Sequence, residues 1–276
     1  MTTARRKAKI QPSGFFKHLF LIVVSLISVF PVYWIVVSAT NLSTDVVQAR
    51  MLPGANLAAN FTNLAASGVL RVAFFNSLRN STVITLGALL ISSAAGYGFV
   101  VYRDRGKDIA MKLLLLSMMV PTAATLIPLF RLFSQLKLIN TLAGVMMPAL
   151  ATAFLIFLFR QASETFPQEL IQAARIDGVG EAGIFLRIYA PVMKPTYAAA
   201  ATVTFMNAWN SYLWPLVILQ KESERTMPIF ISNLMDGYVL DYGQIMLAVT
   251  ITTLPTVIIF FLLQKSFVAG ILGAVK

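Results

Sequence analysis

Apolar residues along this chain gather into long blocks separated by short polar segments. Six of these apolar blocks carry no charged residue: 19–44, 80–102, 113–130, 138–159, 195–220 and 242–264, with lengths of 26, 23, 18, 22, 26 and 23 residues. A helix needs about 20 apolar residues to cross a bilayer core. The pattern therefore predicts six membrane-spanning helices, at about 15–39, 74–102, 110–132, 138–159, 195–220 and 242–264. The segments between them predict an outer loop at 40–70 with a short surface helix, and a tight turn at Arg103-Asp104-Arg105-Gly106-Lys107. A long loop follows at 161–194 and a second outer loop at 221–241. Tails at 1–14 and 265–276 complete a single all-α membrane domain over 1–276.

Residues inside the blocks refine this picture. The second predicted helix carries Gly87, Ala94, Ala95, Gly96 and Gly98, small residues that let a neighbouring backbone approach closely. The third holds Pro121 and Pro128. Neither proline can donate a backbone hydrogen bond, so the helix is expected to kink or break, with the freed carbonyls buried in protein or facing a cavity. Pro121 and Pro128 are thus candidates to line a pathway, a packing kink being the alternative. The fifth helix is the most polar, with Asn207, Trp209, Asn210, Ser211, Tyr212, Trp214 and Pro215 in its outer half. Its tryptophans and tyrosine fit an interface belt as well as a pathway. The amides of Asn207 and Asn210 would be costly against lipid and are expected to face protein or water.

Composition agrees with the blocks. Hydrophobic residues make up 58% of the chain and charged residues 12%, against about 25% charged in soluble proteins. This excludes a soluble enzyme, a disordered chain and a collagen-like fibre. There is no cysteine and one histidine, His18, so no thiolate or histidine cluster is available for metal or nucleophilic chemistry. The net charge of +11 is an orientation signal here. With the N-terminus inside, 15 of the 22 basic residues fall on the cytoplasmic side, giving net charges of +9 inside and +2 outside. Both termini are therefore expected in the cytoplasm. The basic run Arg5-Arg6-Lys7-Ala8-Lys9 suits water or anionic lipid heads, and no nucleic-acid partner is expected. The first block exceeds a 7–15 residue signal-peptide core and no small-residue cleavage site follows it, so it is read as an uncleaved helix.

The 161–194 segment reads as two short helices. Pro167 suits a first helical turn, Thr165 or Ser163 can cap it, and Glu169 lies near its positive end. Gly178 can adopt a left-handed conformation and end that helix. A second helix, 181–189, leads to Pro191. Such a rigid pair is a sensible docking element for a soluble partner. The chain contains no Gly-x-x-x-x-Gly-Lys-Ser/Thr phosphate loop.

Ala173-Ala174-Arg175-Ile176-Asp177-Gly178 resembles the "EAA" coupling loop of binding-protein-dependent ABC importer permeases. Their pattern is Glu-Ala-Ala, three residues, then Gly, and Gln172 stands here in place of the usual Glu. Asn76-Ser77-Leu78, Pro121, Pro128, Trp209-Asn210, Trp214-Pro215 and the tail from Gln264 to Lys276 extend the similarity over nearly the whole chain, to the MalG-type subunits of carbohydrate importers. The resemblance implies a type I importer permease fold in the bacterial cytoplasmic membrane, and half of a translocation pathway through which Pro121, Pro128, Asn207, Trp209 and Asn210 would run. It implies ATPase docking through Glu169, Gln172, Ala173, Ala174, Asp177 and Gly178. It implies as partners a second, MalF-like permease, two copies of an ABC ATPase that carry the ATP and Mg, and an extracytoplasmic solute-binding protein. Loop 221–241 would probe that binding protein and residues 270–276 would reach the ATPase. No cofactor is expected on this chain. The solute implied is an oligosaccharide or disaccharide, with glycerol-3-phosphate or a related phosphodiester as the alternative. A secondary transporter would need membrane-embedded ionisable residues, and an enzyme would need an acid/base or nucleophile constellation. Neither is present in the blocks.

Overall fold

The computed structural model describes residues 12–102 and 104–273. The basic run at 5–9, Arg103 of the tight turn and residues 274–276 of the tail lie outside the described residues. Among the described residues every regular element is a helix. Helix α1 (Pro12–Ser38) precedes two short helices, α2 (Ser43–Val47) and α3 (Leu57–Ala65), and then the 33-residue α4 (Val69–Val101). Two bent pairs follow, α5 (Arg105–Ser117) with α6 (Thr122–Gln135) and α7 (Leu142–Leu150) with α8 (Ala153–Glu164). Next come α9 (Gln168–Ile176) and α10 (Glu181–Ile184), which continues through a wide π turn at Phe185–Tyr189 and α11 (Ala190–Val192) into α12 (Lys194–Trp209). Helices α13 (Leu213–Ile218), α14 (Met227–Leu234) and α15 (Tyr242–Gly273) complete the order.

Three continuous helices are long and apolar enough to cross a membrane, with spans Phe16–Ser38, Val69–Val101 and Tyr242–Gln264. The two bent pairs add two more if each pair is one span. The third predicted helix is broken, not merely kinked. Its halves meet at 104°, and Pro121 stands at the break as the N-cap of α6 with extended ψ of 129°. Pro128 lies within α6 without interrupting it. The fourth starts later and runs longer than predicted. Asn140 takes a positive φ of 58°, Thr141 Oγ1 caps α7 by accepting from Gly144 N at 3.0 Å, and α8 continues to Glu164. Arg160 ends the apolar block but not the helix, because its guanidinium pairs with Asp108 at 3.7 Å and Glu164 at 3.5 Å. The fifth divides into α12 and α13 at 210–212, since Pro215 has no N–H to donate to the Ser211 carbonyl.

The described residues fall into two compact units, one formed by 12–64 and 237–250, the other by 65–236 and 251–273. In the second, α4 is the hub against which α7, α8, α12 and α14 pack. It presents a buried column of small residues, Ala73, Ser77, Ser81, Ala88, Ser92 and Gly96. Gly96 shows why they are small: a Cβ there would lie 2.6 Å from Phe159 Cβ and 2.7 Å from Arg160 N. At Gly87 a Cβ would meet only the end of the Leu150 side chain, Cδ2 at 2.6 Å, whereas Gly98 has open space and Ala94 is exposed. The predicted small-residue stripe is therefore half packing surface. Two of the buried hydroxyls bond along the helix itself, Ser81 Oγ donating to Ser77 O at 2.7 Å and Thr85 Oγ1 to Ser81 O at 2.6 Å.

In the first unit the 40–64 segment is folded around buried amides. Asn60 Nδ2 donates to Ala39 O and Asn41 O, both at 3.0 Å, and Asn41 Nδ2 donates to Val37 O at 3.1 Å and Leu52 O at 3.0 Å. Gly243 lets α15 close on this knot, since a Cβ there would meet Asn41 O at 2.6 Å. The predicted loop thus holds two helices, α2 and α3, and its asparagines replace the backbone partners that loops lack.

Candidate functional site

The 161–194 segment forms a compact knob. Ile171 and Ala174 on the inner face of α9, with Phe166, Ile184, Tyr189 and Met193, pack around Tyr97 of α4. Ser163 and Thr165 do not cap α9. Ser163 Oγ is buried and spans Phe159 O at 2.7 Å and the Tyr189 hydroxyl at 2.6 Å, and Thr165 closes α8. The α9 N-cap is Pro167, and Glu169 stands in the first turn. Gly178 has φ of 76° and ends α9 as expected: Val179 N, beyond it, reaches back to Ala174 O at 2.9 Å. Pro191 does not stop the second helix. Its ring would clash with the carbonyl four residues back, and the π turn widens the ladder there, Ala190 N–H reaching five residues back to Phe185 O.

The outer face of the knob is amphipathic and uncovered. Glu169, Gln172, Ala173, Asp177 and Gly178 are exposed, while Ala174 is turned inward at 5% exposure. Beside them Ile176 is 86% exposed and Leu170 43%, apolar residues that the sequence motif alone did not single out. A brace beneath was also missed. Glu181 accepts from Arg175 Nε at 2.7 Å and Nη2 at 3.2 Å and from the Tyr102 hydroxyl at the end of α4. The Arg175 guanidinium lies 5.9 Å over the Tyr102 ring. The Arg175 hydrogen bonds, then that of Tyr102, hold the Glu181 carboxyl below the ordinary carboxylate range, and Arg175 is raised in return.

A cleft of about 420 Å³ opens among α4, α6, α7, α8, α12 and α13, within the size range of small-molecule sites. Its polar lining includes Ser77, Asn80, Thr204, Asn207, Ser211 and Thr226. Of the five residues expected along a pathway, Asn207 lines this cleft and the others do not. Trp209 is 1% exposed, stacks on Phe205, packs edge-on to Phe74 and donates Nε1–H to Thr252 O at 2.9 Å. Asn210 turns its amide back to Met206 O at 2.9 Å. Pro121 and Pro128 are exposed on α6 away from the lining, where Thr122 and Thr125 take their place. Among the described residues no group of three His, Asp or Glu side chains could hold a metal ion.

At one rim the 221–227 segment is clasped to α4. Asn76 Nδ2 donates to Ser223 O at 2.8 Å and Arg225 O at 3.1 Å, Met227 N donates to Ser77 Oγ at 2.8 Å, and Arg79 pairs with Glu224 at 3.1 Å.

Comparison with known proteins adds to this geometry. Residues 87–273 match the family described as "Binding-protein-dependent transport system inner membrane component". The chain is 41% identical over 276 residues to a lactose transport system permease of Rhizobium radiobacter, covering 100% of both chains. It is 35% identical over 264 residues to an arabinooligosaccharide transport system permease of Bacillus subtilis, covering 94% of each. It is 32% identical over 271 residues to an sn-glycerol-3-phosphate transport system permease of Yersinia enterocolitica, covering 95% of this chain and 96% of that one. In three dimensions it resembles a chain of a bacterial ABC transporter involved in importing the acidic polysaccharide alginate, with a TM-score of 0.83, 19% identity and coverage of 96% and 100%. That last likeness is one of fold.

Proposed function

Because the chain belongs to the family of binding-protein-dependent transport system inner membrane components, the permease subunits of ABC importers, we propose that it forms half of the translocation pathway of an ATP-driven importer of an oligosaccharide or disaccharide. Members of this family work with ATPase and solute-binding partners. For this chain the partners are a second, MalF-like permease, two ABC ATPase subunits that bind ATP and Mg, and an extracytoplasmic binding protein, assembled in the bacterial cytoplasmic membrane. The knob is the coupling element. Glu169, Gln172, Ala173, Asp177 and Gly178 meet the ATPase, and Ala174 sets the spacing beneath them. The observation that carries this reading is an amphipathic helix braced from below by Glu181 while Ile176 stands 86% exposed at its end. On such a support the exposed isoleucine supplies an apolar centre, and the surrounding Glu169, Gln172 and Asp177 a polar rim, the arrangement protein interfaces use.

Co-expression with the ATPase tests it. The wild type should co-purify with two ATPase subunits and a second permease. Gly178→Asp should leave the chain in the membrane but reduce solute-dependent ATP hydrolysis on the order of tenfold. Normal hydrolysis and normal uptake in that variant would remove the knob from coupling. A second reading, a glycerol-3-phosphate or phosphodiester permease, is favoured by the 32% identity to the Yersinia protein.

A further inference from the structure

We infer that the segment 51–64 is a lipid-facing anchor, with Met51, Leu52, Leu57 and Phe61 seated in the outer leaflet beside the end of α1. These four side chains are 51%, 68%, 48% and 51% exposed, in that order. They belong to one uncharged stretch, since no Asp, Glu, Lys or Arg occurs between Arg50 and Arg71. Its helix, α3, has nine residues, too few to cross a bilayer core that takes about 20. Such a helix can meet lipid only at the membrane boundary, and the bonds of the segment hold it there. Only the crossing of the membrane by α1 is required for this, not the importer reading.

The segment doubles back along the last turns of α1. Tyr33 Oη donates to Met51 O at 2.7 Å, and the Asn41 amide that donates to Val37 O also donates to Leu52 O at 3.0 Å. Tyr33 lies about 26 Å of helix rise beyond Phe16, where the apolar span begins, and a bilayer core is about 30 Å thick. With Trp34 it marks the level at which aromatic side chains gather, between acyl chains and head groups. Met51 and Leu52 are thus pinned at the depth of the boundary, not above it. Helix α3 stays at the end of α1. Asn56 N, just before it, donates to Thr40 O at 2.9 Å, and Asn60 Nδ2, one turn on, donates to Ala39 O and Asn41 O. On α3 the buried Asn60 and Leu64 and the exposed Leu57 and Phe61 fall within one arc of about 100°, with Thr62 and Asn63 on the other side. The apolar stripe therefore runs off the protein onto its surroundings, the form of a helix lying in a bilayer surface. A soluble partner would find no charge here by which to be oriented, whereas acyl chains need none.

The test exploits a chain without cysteine. Leu52→Cys and Phe61→Cys, with Thr62→Cys and Asn63→Cys as water-facing references, are introduced singly into the full chain. All four positions are exposed, so the substitutions leave the interior intact. Each variant is purified with the subunits that accompany it, labelled with a nitroxide and reconstituted in vesicles of phosphatidylethanolamine and phosphatidylglycerol. Collision of the label with molecular oxygen, which concentrates in lipid, is compared with collision with a water-soluble nickel chelate. The ratio of oxygen to nickel accessibility should be higher at 52 and 61 than at 62 and 63, on the order of threefold or more. Nickel favoured at 52 or 61, or no difference between the two pairs, overturns the inference, because the segment then stands in water. Shielding of 52 or 61 from both reagents overturns it as well, because a protein, the second permease or the binding protein, then covers the patch.

Discussion

At Gly178 the backbone stands at φ 76° with open space around it, whereas at Gly96 the backbone is ordinary helix and space is what is lacking. The two positions respond to substitution in opposite ways. Gly178→Ala meets no neighbour and carries only left-handed strain, about 1 kcal/mol, so the chain should insert normally and Gly178→Asn should be milder still. Gly96→Val drives atoms into the backbone of α8 and should cost about 3 kcal/mol or more. Thermal unfolding of the two purified variants in detergent separates the cases: a large drop for Gly96→Val, a small one for Gly178→Ala. Glu181 supplies a pH prediction. Its folded-state pKa is depressed by Arg175 and Tyr102, so its stabilisation is fully present above the ordinary carboxylate pKa and is lost only as pH falls through the lower folded value. Coupled ATP hydrolysis should therefore show no dependence on this group between pH 5 and 8, and Glu181→Gln should weaken coupling equally across that window. A loss in the wild type that disappears in Glu181→Gln would contradict it. Gly178 could be read from the chain because left-handed geometry is a local demand. Glu181 could be read only in part, because Arg175 lies six positions away but its other partner, Tyr102, lies 79 positions away.

At the scale of helices, charge-free length located the first, second and sixth spans well, since one continuous helix there covers most of one apolar block. The other three blocks contain their own interruptions. Proline marks two of these sites, at Pro121 and Pro215, but only backbone geometry separates a break from tolerated prolines such as Pro128 and Pro148. The cleft was largely illegible. It depends on which faces of six helices meet, and of its polar residues Asn207 alone was anticipated. Asn80 sits in the second block with nothing in the local pattern to distinguish it from Asn76. The turn before α7 gives the prediction at this scale. Asn140 combines φ of 58° with a side-chain Oδ1 that accepts from Gln220 N at 2.6 Å and Lys221 N at 2.9 Å. Asn140→Gly keeps the backbone freedom and loses the bonds, costing about 1–2 kcal/mol. Asn140→Ala should cost about 1 kcal/mol more. Hydrogen exchange at residues 220 and 221 should rise in both variants; unchanged protection would show that the amide bonds carry no weight.

For the molecule as a whole, the positions of greatest consequence lie on one line of chain. From Glu181 to Trp209 the backbone runs through α10, the π turn, α11 and α12 with a single irregular step at Met193. Its beginning is tied to the knob and its far part supplies Thr204 and Asn207 to the cleft. The π turn at Phe185–Tyr189 contains one residue more than an α-helical path over the same length would need, and Pro191 blocks that tighter path. Each residue of an α-helix accounts for about 100° of rotation and 1.5 Å of rise. Without the surplus residue α12 would stand about 100° further round its own axis, so the π turn decides that Thr204 and Asn207 are the side chains it presents to the cleft.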